Sequence, residues 1–67
     1  MIEMLYLARK LHLPSGEVLE RYVVTVRDKK VLRWQPFEAE SHSMSLVDEL
    51  LVGENSSGEL IVKSIRF

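Results

Sequence analysis

The sequence predicts a mainly β fold, in which residues 1–67 form one small domain of about five strands, arranged as an open sandwich or a barrel. Segments of strand length alternate apolar and polar residues, and turn-forming stretches separate them. With 67 residues, 46% apolar and 28% charged, the chain has the composition of one globular domain. It contains no cysteine, so the small core must be stabilised by packing alone or by self-association. Self-association would supply what such a core lacks.

The first segment, which ends before Pro14, is predicted to be a strand. Its leucines alternate, and the stretch "PSGE" that follows is typical of a hairpin connection. The alternating residues are Leu5, Leu7, Leu11 and Leu13. A helix is the alternative, because good helix formers fill the segment and part of it also has helical spacing.

The second segment, Glu17–Arg27, has the clearest strand pattern. Tyr22, Val24 and Val26 share one face of it, and tyrosine and valine favour the pleated conformation. No glycine follows the strand, so the turn must be found from the register of the hairpin.

A two-residue loop at Asp28 and Lys29 would place Arg27 opposite Lys30, and like charges across a ladder are unfavourable. A three-residue loop that includes Lys30 avoids this pairing, and we predict it. It sets Val26 opposite Leu32 and Val24 opposite Trp34. Lys30 then needs the left-handed region, at a cost of roughly 1 kcal/mol.

The segment 45–52 fits both kinds of element. Ser45 with Asp48 resembles a helix-capping pair, and Gly53 stands where a helix often ends. Two turns of helix are marginal without packing, so we predict a strand over residues 45–52, with one short helical turn at its start as the alternative. The last segment, Leu60–Phe67, alternates as a strand. The predicted core consists of Leu5, Leu7, Tyr22, Val24, Val26, Leu32, Trp34, Ile65 and Phe67.

The ladder "LARKLHL", "PSGEVLE" and "YVVTVRDKKVLRWQPF" resembles the small N-terminal β-sandwich domain of the amidohydrolase superfamily. It is also similar to short uncharacterised bacterial proteins that carry this sheet alone. The resemblance covers Leu7–Phe37, about half of the chain. The family usually has Asp-Gly at the hairpin, where this chain has Asp28-Lys29. The catalytic barrel and its paired histidines are missing, so the resemblance implies a fold and no hydrolase activity.

Charge is unevenly distributed along the chain, although its net value is only -1. Residues 1–33 carry seven bases and four acids, and residues 34–67 carry two bases and six acids. A basic cluster at the predicted hairpin is a candidate nucleic-acid contact, but the aromatic residues that would stack on bases fall on the apolar face. Nucleic-acid binding is therefore the less favoured alternative. The cluster consists of Arg27, Lys29, Lys30 and Arg33.

The preferred function is non-catalytic protein association, with a protein partner that can be a second copy of the chain. The predicted register leaves Leu19, Val23 and Val31 on the outer face of the sheet, where they would form an interface. The competing interpretation places these three residues under the second layer of a sandwich.

Catalytic and metal chemistry find little support, and we predict no enzyme, metal or cofactor. Glu38, Glu40 and His42 alternate in "EAESH", yet ligands on one extended stretch rarely converge on a metal ion. Neither a nucleophile elbow nor a phosphate-binding loop is present. The N-terminal residues form neither a signal peptide nor a membrane span, which predicts a cytoplasmic protein without a membrane partner.

Overall fold

A computed structural model describes residues 3–38 and 44–67 of the chain. Within these two ranges the chain forms five strands and no helix, which confirms the predicted small, mainly β domain. The strands are β1 (Met4–His12), β2 (Val18–Arg27), β3 (Lys30–Pro36), β4 (Met44–Glu54) and β5 (Leu60–Arg66). The structure contains no helix in these ranges that could cross a membrane.

The five strands form a closed barrel in the order β1-β2-β3-β5-β4. β1 lies between β2, which is antiparallel to it, and β4, which is parallel to it. The pairs β2–β3, β4–β5 and β3–β5 are antiparallel. Of the two predicted arrangements, the structure is therefore the barrel.

The barrel closes at a narrow seam between β3 and β5. Lys30 and Ile61 are the one ladder pair between these strands in the described part of the chain. Beside it, the Val62 amide donates a hydrogen bond of 2.8 Å to the Lys29 carbonyl. β5 therefore crosses the tip of the β2–β3 hairpin and leaves the rest of the β3 edge unpaired within the described residues.

The core lies inside the barrel and is built mainly from aliphatic side chains of β1, β2 and β4. Its buried members are Ala8, Leu11, Val24, Val26, Val31, Val47, Leu50 and Val52. Of the predicted core, Val24 and Val26 are buried, and Tyr22, Trp34 and Ile65 pack against the buried cluster. Leu5 and Leu7 are partly buried. The prediction was wrong for Leu32 and Phe67, whose exposed fractions are 37% and 87%.

β2, β1 and β4 are adjacent in the barrel, and at one level of it each strand reverses which of its two faces points to the core. On β1, Ala8 and Leu11 are both fully buried although they are three residues apart. On β4, their ladder partners Val47 and Leu50 behave in the same way. The ladders between these strands continue on both sides of this level but skip Arg9, whose neighbours there are Arg21 and Asp48.

The face change explains the misleading pattern at residues 45–52. Two core residues three positions apart are typical of a helix, but here a bent strand produces the spacing. The structure shows β4 running from Met44 to Glu54, so the predicted strand is confirmed and the alternative, a helical turn at its start, is excluded.

The β2–β3 hairpin combines both of the registers that the sequence allowed. Its loop has two residues, Asp28 and Lys29, with φ angles of 51° and 65°, as a type I′ turn requires. Val26 therefore pairs with Val31. The predicted left-handed Lys30 and the pairing of Val26 with Leu32 were wrong.

A β-bulge then shifts the register between Thr25 and Val26. Leu32 is the additional residue, and Val24 pairs with Trp34 as predicted. The like charges Arg27 and Lys30 do face each other across the ladder. An ion pair with Glu59 offsets this repulsion, because Lys30 Nζ lies 3.1 Å from Glu59 Oε2.

Candidate protein-association surface

An apolar groove of about 460 Å³ lies on the outside of the barrel. Leu7 of β1 and Leu46 of β4 form part of its wall, together with Phe37, which follows β3, and Phe67, which follows β5. Leu46 is 70% exposed and Phe67 is 87% exposed, the two largest values among the exposed large apolar residues of the described chain. We call these four residues the groove surface.

Chain geometry brings the groove surface together from distant parts of the sequence. Leu7 and Leu46 are ladder partners in the parallel β1–β4 pair. The Phe37 amide donates a hydrogen bond of 2.8 Å to the Arg21 carbonyl, which holds the end of β3 against β2 beside the groove. Pairing of Glu49 with Arg66 brings the end of β5 to the same side.

Three charged residues line the rim of the groove, namely Arg9, Arg21 and Asp48. Arg9 Nε donates a hydrogen bond of 2.6 Å to Asp48 Oδ1, so these two charges compensate each other. That hydrogen bond lowers the pKa of Asp48 below its ordinary value, and it raises the pKa of Arg9. Arg21 makes no ion pair with another described residue and remains the uncompensated positive charge of the rim.

Arg21 has an unusual backbone for a residue in the middle of a strand. Its φ angle is 57°, in the left-handed region that glycine adopts easily and other residues rarely do. Among the described residues, the other non-glycine residues with positive φ are Asp28 and Lys29, which the hairpin turn explains. At Arg21 the conformation accompanies the face change of β2, between Glu20 and the partly buried Tyr22.

The residues predicted to form an interface do not lie on the groove surface. Val31 is 8% exposed and belongs to the core cluster, so the prediction that it faces outward was wrong. Val23 is not part of that cluster, but it is only 5% exposed and is therefore covered rather than free to form an interface. Leu19 is partly buried and packs against the core. The bulge turns Val31 inward, and the partly buried Leu7 lies opposite Val23 in the β1–β2 ladder.

The predicted basic cluster lies at the β2–β3 hairpin, but acids compensate half of it. Besides the Lys30–Glu59 pair, Arg33 Nη2 lies 4.0 Å from Glu3 Oε1. The Glu59 carboxylate also accepts a hydrogen bond from Asn55, which with Lys30 lowers the pKa of Glu59.

The other two bases, Arg27 and Lys29, are exposed and form no ion pair within the described ranges. Trp34 packs against the core cluster, so it is not a free stacking platform beside these bases. The hairpin therefore offers two available cations and no exposed aromatic partner of its own.

A second opening, also of about 460 Å³, lies at the end of the barrel near the seam. Met4 and Tyr6 of β1 line it together with Lys29 and Lys63. The side chain of Lys63 lies over Gly53, where a methyl group would be 2.5 Å from Lys63 Cε. The opening is thus bordered by flexible lysines, and it lacks the exposed aromatic and leucine side chains of the groove surface.

The unpaired edge of β3 is protected against pairing with another strand. Since the Phe37 amide points to β2, alternation of the ladder directs the backbone groups of Trp34 and Pro36 away from β2. Pro36 has no amide hydrogen to donate, Arg33 adds charge, and the bulge at Leu32 distorts the edge. Proteins use all three features to prevent edge-to-edge association.

The structure describes only part of the predicted metal-ligand stretch. Glu38 is described and exposed, whereas Glu40 and His42 lie outside the described residues. Within the described ranges, no group of three or more histidine, aspartate or glutamate side chains could hold a metal ion.

Sequence reasoning missed the residues that form the groove and its rim. One signal was present, because Leu46 and Val47 are consecutive apolar residues in a strand and only one of them can face the core. No protein-family model matches the sequence, and neither a curated protein nor a solved structure is significantly similar to it.

Proposed function

We propose that this chain is a non-catalytic protein-association module that binds a protein partner, or a second copy of itself, through the groove surface. The observation that carries the proposal is the exposure of Leu46 and Phe67 beside a concave apolar wall. Large apolar side chains that are exposed together and surrounded by charge are typical of protein-binding sites.

The other surfaces support association less well. The β3 edge carries the protective features described above. The exposed apolar residue of the seam opening, Met4, is 44% exposed, less than Leu46 or Phe67. A groove lined by leucine and phenylalanine can receive one or two apolar side chains of a partner, which is how most binding energy is concentrated in protein interfaces.

The experiment that tests this function compares two β4 leucines. Leu46→Ser removes an anchor of the groove surface, and Leu51→Ser is the matched control, because Leu51 is only 37% exposed and lies outside the groove. We expect Leu46→Ser to reduce binding of an apolar peptide at least about tenfold, and Leu51→Ser to leave it nearly unchanged. Circular dichroism verifies that both variants are folded.

Self-association is measured by light scattering after size-exclusion chromatography over a range of concentrations. A mass of twice 7.8 kDa that Leu46→Ser lowers and Leu51→Ser does not would identify the groove surface as the contact between copies. A monomer that binds no apolar peptide at the groove would contradict the proposed function.

Nucleic-acid binding is the alternative, and only Arg27 and Lys29 favour it. Binding by so few uncompensated bases would be weak, and its affinity would fall only modestly with salt, because the salt dependence scales with the number of phosphates contacted. Charge reversal at Lys29 and Lys30 should abolish the binding of a single-stranded oligonucleotide. If such binding survives the double change, the hairpin is not responsible for it.

A further inference from the structure

We infer that the partner recognised by the groove surface is a protein segment that presents an apolar side chain with a carboxylate beside it. This inference rests on the proposed function, because it names the chemistry of the partner that the same surface binds. The carboxylate would bind to Arg21, and the apolar side chain would contact Leu46, Phe37 and Phe67.

The charge of the rim is the first argument. Two arginines and one aspartate line the groove, and the hydrogen bond between Arg9 and Asp48 pairs one arginine with the aspartate. Among the described residues, Arg21 is therefore left as one positive charge without an ion-pair partner at the edge of an apolar surface. An arginine in this setting can bind a carboxylate through two parallel hydrogen bonds.

The backbone of Arg21 is the second argument. Glycine would adopt its φ angle of 57° without steric cost, yet the chain has an arginine there. Strained non-glycine residues cluster at binding and catalytic sites, where the side chain has a use that offsets the strain. The Phe37 amide donates a backbone hydrogen bond to the Arg21 carbonyl. This bond holds the strained residue beside Phe37, which lines the groove.

The same charge argues against a symmetric pair of copies at this surface. In a two-fold contact each copy presents the same patch to the other. Both copies would then bring an uncompensated Arg21 to one desolvated interface, and like charges oppose such contacts. A segment with a negative charge next to its apolar side chain has no such penalty.

The test uses three fluorescein-labelled hexapeptides with two central phenylalanines, flanked by glutamates, glutamines or lysines. Fluorescence anisotropy measures their affinity for the full chain at low and moderate salt. We expect the glutamate peptide to bind about tenfold more tightly than the glutamine peptide, and the lysine peptide to bind most weakly. In ¹⁵N spectra, the glutamate peptide should shift the amides of Phe37 and Leu46.

Two substitutions of Arg21 test whether this residue causes the preference for the glutamate peptide. Arg21→Gln removes the positive charge and keeps a non-glycine residue in the left-handed conformation. It should abolish the difference in affinity between the glutamate and glutamine peptides. Arg21→Glu should reverse the order in favour of the lysine peptide. Arg27→Gln is the matched control, because it removes an exposed β2 arginine outside the groove, and it should leave the order unchanged.

The possible failures are distinguishable. Equal binding of glutamate and glutamine peptides at the groove would overturn the inferred carboxylate and retain the association function. A dimer that depends on Leu46 and excludes all three peptides would overturn the inference in favour of a second copy. A monomer that binds none of them would overturn both the inference and the proposed function.

Discussion

Arg21 combines a strained backbone with an exposed side chain, and the two can be separated by substitution. A left-handed conformation costs a non-glycine residue about 1–2 kcal/mol, and glycine recovers most of it at some cost in chain entropy. We therefore expect Arg21→Gly to raise the free energy of unfolding by about 0.5–1 kcal/mol. Urea denaturation followed by circular dichroism measures this change.

Glu20→Gly is the control for this substitution. Glu20 is the exposed neighbour of Arg21 on β2 and does not have a positive φ angle. Glycine should lower stability there by about 0.5–1 kcal/mol. If both glycine variants destabilise the chain equally, Arg21 is not strained. If Arg21→Gly is instead more stable than the parent chain and no longer prefers the glutamate peptide, Arg21 lowers the stability of the fold and contributes to partner binding.

The Arg9–Asp48 pair makes stability depend on pH in a defined direction. The hydrogen bond from Arg9 lowers the pKa of Asp48 in the folded chain, so folding favours the ionised carboxylate. This contribution is present above the unfolded pKa of about 3.9 and is lost as the pH falls through the lower folded value. We expect Asp48→Asn to lose less stability than the parent chain between pH 6 and pH 2.5.

Urea denaturation at several pH values provides the measurement. Glu54→Gln serves as the control, because Glu54 is an exposed acid of the same strand that forms no ion pair in the described part of the chain. If Asp48→Asn and Glu54→Gln reduce the loss of stability at low pH to the same extent, the Arg9–Asp48 pair has no specific role in it.

At the scale of elements, the β2–β3 hairpin has a turn that its sequence does not favour. Type I′ turns prefer glycine at the second loop position, which Lys29 occupies with a φ angle of 65°. Lys29→Gly should therefore raise the free energy of unfolding by about 0.5–1 kcal/mol. The variant should keep the hydrogen bond that the Val62 amide donates, because its acceptor is the backbone carbonyl of residue 29.

Lys30→Gly is the corresponding control, since Lys30 begins β3 and its φ angle is not positive. It should destabilise the chain by about 0.5–1 kcal/mol, through backbone entropy and loss of the ion pair with Glu59. Thermal unfolding of the two variants thus distinguishes this turn from the three-residue loop, in which Lys30 would gain from glycine.

The strands could be predicted from the sequence, whereas the faces that they bury could not. Alternation and turn signals locate all five strands, including β1, for which a helix was the alternative. The face change at Arg9 and Asp48 then breaks the alternation on which face assignments depend. It places Ala8 with Leu11, and Val47 with Leu50, at a spacing that is normally helical.

The groove surface was hidden from the sequence for a related reason. Leu7 and Leu46 meet only because β1 and β4 are parallel and distant in sequence. A hairpin can be predicted from its turn, but a parallel pairing has no local signal of this kind. The basic residues of the hairpin were easier to find because they are neighbours in the chain.

At the scale of the whole molecule, the seam between β3 and β5 is the weakest part of the barrel. β1 is paired along most of its length on both sides, whereas the seam has one ladder pair. Regions with few backbone hydrogen bonds open locally at a lower free energy than global unfolding requires. We expect the Val62 amide to exchange with solvent much faster than the amides of Leu11 and Leu50. Hydrogen exchange followed by ¹H–¹⁵N spectra measures the three rates.

A disulfide across the seam tests whether this local opening limits the stability of the barrel. Val62 donates to Lys29, so the adjacent pair of Lys30 and Ile61 is a non-hydrogen-bonded pair, in which Cα atoms are about 4.5 Å apart. That distance suits a disulfide, and the chain has no cysteine that could compete. The oxidised double variant Lys30→Cys and Ile61→Cys should unfold with about 2–4 kcal/mol more free energy than its reduced form, and its Val62 amide should exchange more slowly. Equal opening free energies at Val62, Leu11 and Leu50 in the reduced form would mean that the barrel opens as one unit, and the seam would then not be its weakest part.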